Sequence, residues 1–208
     1  LVTSVDLADI EDHKITLIGP DIDDAMFEEG KTVRLPLGVL VEVAGKDMQA
    51  DFETVLERRI HYFLNYIEGA MHVGQRNSSW IRLTKEAFGK GFRLNHIGEV
   101  LYAKMRDDFD KVVDKCQVTI YTKQEDVDRL YAERAKPVYD KRDTRMAALT
   151  DDSVEEFYTC LLCQSFAPSH VCIVTPERLG LCGAVSWLDA KATKQLDPTG
   201  PNQPVVKG

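Results

Sequence analysis

The segment Leu37-Gly-Val-Leu-Val-Glu-Val43 indicates the fold class of the chain. It is short, rich in branched side chains and flanked by Pro36 and Gly45, which is typical of a β-strand. The pattern changes at Asp47, after which apolar residues recur at steps of three and four up to Met71. This period places them on one face of a helix. A strand followed closely by an amphipathic helix predicts an α/β fold.

The same alternation continues on both sides of this segment. Further strands are predicted at 14–18, 80–84 and 117–121, and a further helix at 94–105. Another helix is predicted to begin at Thr122, which would form a capping box with Glu125. Strands separated by such helices predict a mixed sheet with covering helices. We assign residues 1–149 to this α/β domain.

The composition changes after residue 149. Asp152 or Ser153 is predicted to cap a short helix through Tyr158, and loops that carry cysteines follow. The end of this part, Asp197-Pro-Thr-Gly-Pro-Asn-Gln-Pro204, is rich in proline and glycine, which disfavour regular structure. Residues 150–208 are therefore predicted to form a Cys-rich, loop-dominated segment.

Charge and hydropathy exclude several classes of protein. The formal net charge of -8 argues against a nucleic-acid partner, because phosphate binding depends on clustered Lys and Arg. No apolar run is long enough for a membrane helix, so we expect a cytoplasmic protein. The chain begins at Leu1 without an initiator Met, and we expect it to be a piece of a longer polypeptide.

Four of the five cysteines lie close together in the sequence, as Cys160, Cys163, Cys172 and Cys182. This clustering is typical of metal ligation in a reducing compartment and is unlike a secreted disulfide framework. Zinc and a four-iron four-sulfur cluster both accept four cysteines, so the residues alone leave both open. The two widely spaced single ligands favour the larger cluster. The fifth cysteine, Cys116, is isolated in an apolar segment and is predicted to be a buried core thiol.

Apolar residues surround the cysteines in the sequence. They are predicted to form a jacket that limits solvent access to a cluster, although they could equally be ordinary core residues under long loops. The residues are Leu161, Leu162, Phe166, Val171, Ile173, Leu179 and Leu181. His170, two residues before Cys172, is predicted to be a hydrogen-bonding neighbour of the site or exposed, since four cysteines already complete it.

The cysteine segment, from Cys160-Leu-Leu-Cys163 through Leu181-Cys-Gly-Ala-Val-Ser-Trp187, resembles the cluster-binding loop of the acetyl-CoA synthase family. That family belongs to the CO dehydrogenase/acetyl-CoA synthase system. Upstream, Asp12-His-Lys-Ile-Thr-Leu-Ile-Gly-Pro-Asp21 and Pro36-Leu-Gly-Val-Leu-Val-Glu-Val-Ala-Gly45 resemble its middle domain. The likeness covers essentially the whole chain and implies a middle domain followed by the start of an A-cluster domain.

The resemblance implies specific chemistry. In the family, the A-cluster is a four-iron four-sulfur cluster joined through one cysteine sulfur to a dinuclear nickel site. By position, Cys160, Cys163, Cys172 and Cys182 match the cluster ligands, and Cys163 matches the catalytic one that bridges to nickel. The implied reaction condenses CO, a methyl group from a corrinoid iron-sulfur protein, and coenzyme A to acetyl-CoA. The implied partners are the CO dehydrogenase subunit and a ferredoxin.

One departure from the family pattern affects activity. The family's distal nickel sits in a Cys-Gly-Cys motif downstream of this loop, and this chain has no cysteine after Cys182. We therefore expect the chain by itself to be inactive, with an incomplete nickel site. The alternative from another functional class is a non-catalytic α/β binding module whose C-terminal loops are stapled by a four-cysteine zinc site.

The segment from Arg58 to Arg93 carries seven basic residues against two acidic ones. Because the family's middle domain is associated with coenzyme A, these side chains are candidates to bind its phosphates, with the indole ring stacking on adenine. The candidates are Arg58, Arg59, Arg76, Trp80, Arg82 and Arg93. From the residues alone, a solvated helix face and strand edge explains the same pattern.

Overall fold

A computed structural model describes residues 1–27, 30–76, 78–163 and 167–207. The chain forms two compact units, residues 1–137 and 138–208. The assignment of separate roles to 1–149 and 150–208 stays a prediction. Within the described residues, no helix combines the length and the apolar character that crossing a membrane requires.

The first unit contains seven strands and four α-helices among its described residues. The strands are β1 (Val2–Ser4), β2 (Lys14–Ile18), β3 (Thr32–Pro36), β4 (Gly38–Ala44), β5 (Ala70–Gln75), β6 (Ser78–Thr84) and β7 (Lys115–Tyr121). The helices are α1 (Glu53–Asn65), α2 (Lys85–Gly89), α3 (Asn95–Asp108) and α4 (Gln124–Leu130), the last continued by a π-helical turn over Tyr131–Ala135. Helix α5 (Lys136–Ala147) begins at the boundary between the units.

A mixed sheet with strand order β1-β4-β7-β2 lies at the centre of this unit. Strand β4 runs parallel to β1 and antiparallel to β7, and β2 runs parallel to β7. Strand β7 alternates strictly, so that Cys116, Val118 and Ile120 are fully buried. The prediction of an α/β fold with a mixed sheet is confirmed, and so is the burial of Cys116.

Helix α3 packs against β2 and β7, and α4 packs against β4. The approach of α3 is so close that a Cβ added at Gly98 would stand 2.4 Å from the Ile15 Cγ2 atom. The helix predicted after Thr122 is present, but the predicted capping box is wrong. The Thr122 hydroxyl instead donates to the carbonyl oxygens of Ile18 and Pro20, at 3.3 and 2.8 Å, and so ties the end of β7 to the end of β2.

A second, antiparallel sheet has the order β3-β6-β5. The helix predicted to reach Met71 ends at Asn65, so that part of the prediction is wrong. The chain turns at Gly69, whose φ of 78° suits a residue without a side chain, and β5 begins at the next residue. Met71 continues the helical period by sequence alone, but it lies in the strand and is exposed.

The second unit has more regular structure than predicted. Strands β8 (Glu156–Cys160), β9 (Cys172–Val174) and β10 (Pro204–Val206) form an antiparallel sheet with β8 in the centre, and helix α6 covers Trp187–Leu196. The predicted helix through Tyr158 is wrong, because only Asp151–Ser153 form a 3₁₀ turn before β8 begins. Tyr158 and Trp187 pack with ring centroids 5.9 Å apart in the core of this unit.

Candidate metal centre

Two of the predicted ligands lie on neighbouring strands. Cys160 ends β8 and Cys172 begins β9, and the two residues are directly opposite each other in the antiparallel register. Residues paired in this way have side chains on the same face of a sheet. Cys160 is buried in the core of the unit, whereas Cys172 is half-buried. Strand pairing thus brings two thiols together.

The other two predicted ligands lie in turns of the same unit. Cys163 follows β8 by three residues and is half-buried, and its carbonyl oxygen accepts a hydrogen bond from Ala167 N–H at 2.7 Å. Cys182 is exposed in a turn closed by a hydrogen bond from Gly183 N–H to Gly180 O at 2.8 Å. Its sulfur accepts a hydrogen bond from Ala184 N–H at 3.4 Å. All four cysteines are free thiols.

Electrostatic interactions connect three of these thiols. Burial raises the pKa of the Cys160 thiol, and the neighbouring Cys172 and Cys182 raise it further. Hydrogen bonds from the Leu162 backbone N–H and the Asn202 side chain oppose this and lower the pKa. Two other thiols and two hydrogen-bond donors thus influence the pKa of the Cys160 thiol.

The donor chemistry of the site fits an iron-sulfur cluster or a zinc ion, since both are held by four thiolates. In the part of the chain that the structure describes, however, no three His, Cys, Asp or Glu side chains stand close enough together to hold a metal ion. Ligand loops of metal sites commonly take their final arrangement only when the metal binds. The described structure therefore places the four thiols in one unit without closing a cage around a metal.

The predicted apolar jacket is not closed. Five of its members are exposed, Leu161 is half-buried, and Phe166 lies outside the described residues. The exposed members are Leu162, Val171, Ile173, Leu179 and Leu181, the last with 72% of its surface accessible. They lie beside the thiols on strand ends and turns. The prediction that these residues shield the site is wrong for the described chain, because five of the seven are exposed.

Two polar side chains contact the cysteines. The Nε2 atom of His170 lies 3.1 Å from the Cys172 sulfur, in agreement with the predicted hydrogen bond to a ligand. The preceding residue, Ser169, has a φ of 75°, which is strained for a residue with a side chain. Asn202 was not predicted, because the proline and glycine around it indicated an irregular tail. No signal in the sequence marked its contact with Cys160.

The predicted coenzyme A residues fall into two groups. Trp80 and Arg82 alternate with the buried Ile81 in β6, so they lie on the opposite face of the sheet from Ile81. The structure adds Arg34 to this group, because it pairs with Arg82 in register and its guanidinium lies 4.1 Å from the centroid of the Trp80 ring. The Arg82 guanidinium is 5.7 Å from the same ring. We call these three residues the Arg-Trp-Arg face.

Arg58 and Arg59 lie on helix α1, which packs against the other side of this sheet. His61 of α1 contacts His72 of β5, with 3.2 Å between their Nδ1 atoms, and His72 faces the same way as its register partner Ile81. The structure thus does not bring Arg58 and Arg59 to the Arg-Trp-Arg face.

The two remaining basic candidates are Arg76 and Arg93. Arg76 is exposed in the turn after β5. Arg93 donates from Nη1 to the carbonyl oxygens of Phe88 and Phe92, at 3.2 and 2.7 Å, and its guanidinium lies 4.1 Å from the centroid of the Phe88 ring. These contacts give Arg93 a local structural role.

Comparison with known proteins agrees with these features. The family described as the CO dehydrogenase/acetyl-CoA synthase complex beta subunit matches residues 1–127, and the family of the C-terminal part of the ACS/CODH beta subunit matches residues 139–208. The chain is 57% identical over 207 residues to the carbon monoxide dehydrogenase/acetyl-CoA synthase subunit alpha of Moorella thermoacetica. It is 48% identical over 204 residues to the acetyl-CoA decarbonylase/synthase complex subunit beta of Methanopyrus kandleri.

These relatives are longer than the chain. The alignments cover 100% and 98% of the chain but 28% and 43% of the Moorella and Methanopyrus proteins. The chain therefore spans less than half the length of the curated relatives that it matches. The matches nevertheless extend through both compact units and include all four clustered cysteines. The chain belongs to the family of the CO dehydrogenase/acetyl-CoA synthase complex beta subunit.

Proposed function

We propose that the chain is part of an acetyl-CoA synthase, an acyltransferase whose complete form condenses CO, a corrinoid-borne methyl group and coenzyme A to acetyl-CoA. Its four clustered cysteines would hold a four-iron four-sulfur cluster, and the Cys163 sulfur would bridge to nickel. The observation that carries this proposal is the pairing of Cys160 with Cys172 beside Cys182, with all four thiols free. Family membership supports the same reaction.

The cysteines differ in burial, which is consistent with different roles for Cys160 and Cys163 in binding the metal centre. Cys160 is held in the core, so it can fix the position of a cluster. Cys163 is half-buried and follows the strand end, where its sulfur can be shared with a second metal. When bound, the nickel-containing centre supplies the site at which CO and the methyl group are coupled. The chain's own part in this reaction would be to bind the centre through the four thiolates.

We further propose that this chain by itself does not synthesise acetyl-CoA. The family places the distal nickel in a Cys-Gly-Cys motif, and the sequence has no cysteine after Cys182. The thiolates that the chain supplies can hold a cluster and one bridging sulfur, but they leave the second nickel without its cysteine ligands.

Coenzyme A binding is proposed for the Arg-Trp-Arg face. Arg34 and Arg82 are directly opposite each other in register, and like charges in this position repel. A phosphate between them would relieve the repulsion and form charge-assisted hydrogen bonds, while the Trp80 ring offers a stacking surface. A role of Arg58, Arg59 and Arg76 in coenzyme A binding stays a prediction.

The proposed partners follow from the proposed reaction. They are a corrinoid iron-sulfur protein, a ferredoxin and the CO dehydrogenase subunit. The exposed apolar residues near the cysteines in the sequence support this part of the proposal, because exposed apolar surface commonly marks protein contacts. A reducing cytoplasm is the proposed location, since thiolate ligands must stay unoxidised.

Replacing each cysteine separately tests the assignment of ligands. The variants are Cys160→Ser, Cys163→Ser, Cys172→Ser and Cys182→Ser, each reconstituted without oxygen with iron and sulfide. We expect every one to lose most of the visible absorbance near ~400 nm that a four-thiolate cluster produces. The control is Cys116→Ala, which removes a core thiol remote in sequence from the four and should keep the absorbance. Equal absorbance in all five variants would contradict the assignment.

A further inference from the structure

Asn202 is a polar residue in the interior of the second unit. None of its surface is accessible to solvent, although it lies in the proline- and glycine-rich segment just before β10. Its Nδ2 atom donates to the carbonyl oxygen of Thr159, the residue before Cys160, at 2.7 Å. A buried amide in an otherwise irregular tail requires a specific explanation.

The backbone around Asn202 holds the strand end that carries Cys160. Thr159 N–H donates to Gln203 O at 2.8 Å, and Gln203 N–H donates back to the Thr159 hydroxyl at 2.9 Å. On the other side of the cysteine, Leu161 N–H donates to Pro201 O at 3.2 Å. Residues on both sides of Cys160 are thus tied to residues on both sides of Asn202.

The Asn202 amide also lies close enough to the Cys160 thiol to lower the pKa of that thiol. Its Oδ1 atom, in contrast, is buried and has no hydrogen-bond partner among the described residues. A buried acceptor left unpaired costs about 1–3 kcal/mol. Asn202 therefore acts in this structure as a hydrogen-bond donor, and its acceptor is left unpaired.

We propose that Asn202 is a positioning residue for the metal centre, whose amide orients the Cys160 side chain and donates a hydrogen bond to its sulfur in the metal-bound state. This inference rests on the proposed function, because it requires Cys160 to be a ligand. The hydrogen bond to Thr159 O fixes the amide beside the strand end that carries Cys160, and it uses one of the two N–H groups, so the other can donate to the sulfur.

The proposal has two physical consequences. A hydrogen bond to a ligand sulfur stabilises negative charge there, and reduction of a cluster adds negative charge, so this bond raises the reduction potential. A neighbour that orients a ligand also strengthens metal binding, and loss of such neighbours typically weakens metal affinity about 10–100-fold. Neither quantity would respond to a residue that only stabilises the fold.

Two variants and one control separate these effects. Asn202→Asp keeps the size of the side chain but replaces the donor by an acceptor, and Asn202→Leu removes the polar group. The control is Gln203→Leu. Its side chain donates to the carbonyl oxygens of Pro198 and Gly200, at 3.2 and 2.8 Å, and has no contact with sulfur in the described structure.

The chain and its variants are reconstituted without oxygen, and three quantities are measured: the reduction potential, the rate of iron loss to a chelator, and the unfolding temperature of the metal-free form. We expect both Asn202 variants to have more negative potentials and roughly tenfold faster iron loss, and Asn202→Asp to have the larger change. Gln203→Leu should match the unaltered chain in potential.

The outcomes separate this inference from the proposed function. If the unaltered chain binds four irons while the Asn202 variants keep its potential and its rate of iron loss, the role of Asn202 is refuted and the proposed function stands. If the unaltered chain takes up no iron, both are refuted. A lower unfolding temperature without a change in potential would make Asn202 a structural residue and would also overturn the inference.

Discussion

Cys160 and Cys172 are direct register partners across the antiparallel pair of β8 and β9. Opposite residues of such a pair have Cβ atoms about 4.5–5.5 Å apart on one face of the sheet. Two of the four proposed ligands are thus positioned by strand pairing, and the other two by turns. Strand pairing would fix the positions of two ligands, Cys160 and Cys172. The other two ligands, Cys163 and Cys182, would come from the turns.

This pairing predicts a specific disulfide. When the metal-free chain is treated with diamide, which takes up two hydrogen atoms as the S–S bond forms, we expect Cys160 to link mainly to Cys172. The Cα atoms of opposite residues in an antiparallel pair are about 4.5–5.5 Å apart, which is within the range found in disulfides. Mass spectrometry of proteolytic fragments identifies the link. The Cys172→Ser variant should lose this product. A dominant link from Cys160 to Cys163 or Cys182 would show that the register is different.

The His61–His72 contact predicts a loss of stability in acid. Burial, followed by the neighbouring His61, lowers the pKa of His72 from 6.5 to about 4. Between these values the unfolded chain binds more protons than the folded chain, so the free energy of unfolding falls as pH falls through this window. The full effect is roughly 3 kcal/mol, and it is present above pH 6.5 and lost near pH 4.

Urea unfolding of the metal-free chain at pH 7 and pH 5 measures this effect. We expect His72→Phe to show a smaller decrease in the free energy of unfolding between the two pH values than the unaltered chain, because it has no proton to bind at this position. An equal decrease in both proteins would show that His72 is not buried in its neutral form.

The contact between α3 and β2 predicts that Gly98→Ala is destabilising. The new methyl group would meet Ile15 at 2.4 Å, and overpacking of this kind typically costs about 1–3 kcal/mol. Gly89→Ala is the matched control, since a Cβ there meets no atom within 4 Å. The free energy of unfolding of the control should stay within about 0.5 kcal/mol of the unaltered chain. Equal stability of both variants would place α3 farther from β2.

The Arg-Trp-Arg face predicts which substitutions weaken coenzyme A binding. Arg34→Ala and Arg82→Ala should each weaken it about tenfold, the loss expected for one hydrogen bond to a charged group. Titration calorimetry measures the affinity. Arg129→Ala removes an exposed arginine that pairs with Asp126 on α4, and should leave the affinity unchanged. If Arg58→Ala and Arg59→Ala weaken binding while Arg34→Ala does not, the ligand lies on the other side of the sheet.

The central strands and helices could be predicted because the sequence of each one carries the apolar period of its own secondary structure. Strand β7 shows strict alternation and α3 shows the helical period, and both are present near the predicted bounds. Predictions were wrong where a local pattern competes with tertiary structure. The helical period continues to Met71, but the turn at Gly69 ends it, and the acidic start before Tyr158 resembles a helix cap although the residues pair as β8.

The candidate site was predictable in composition but not in arrangement. The spacing of the cysteines identified four potential ligands, because spacing is a property of the sequence. The pairing of Cys160 with Cys172 and the contact of Asn202 with Cys160 depend on strand register, which joins distant parts of the chain. The same reason explains why Arg34, remote in sequence from the basic segment, was missed beside Trp80.

The metal content of the chain after anaerobic reconstitution decides whether the four cysteines hold an iron-sulfur cluster. Iron, sulfide and zinc are counted per chain after removal of unbound metal. We expect roughly four irons and four sulfides per chain with negligible zinc, as four thiolates around a cubane cluster require. One zinc per chain with no uptake of iron would contradict the assignment of an iron-sulfur cluster, and the four cysteines would then form a structural zinc site.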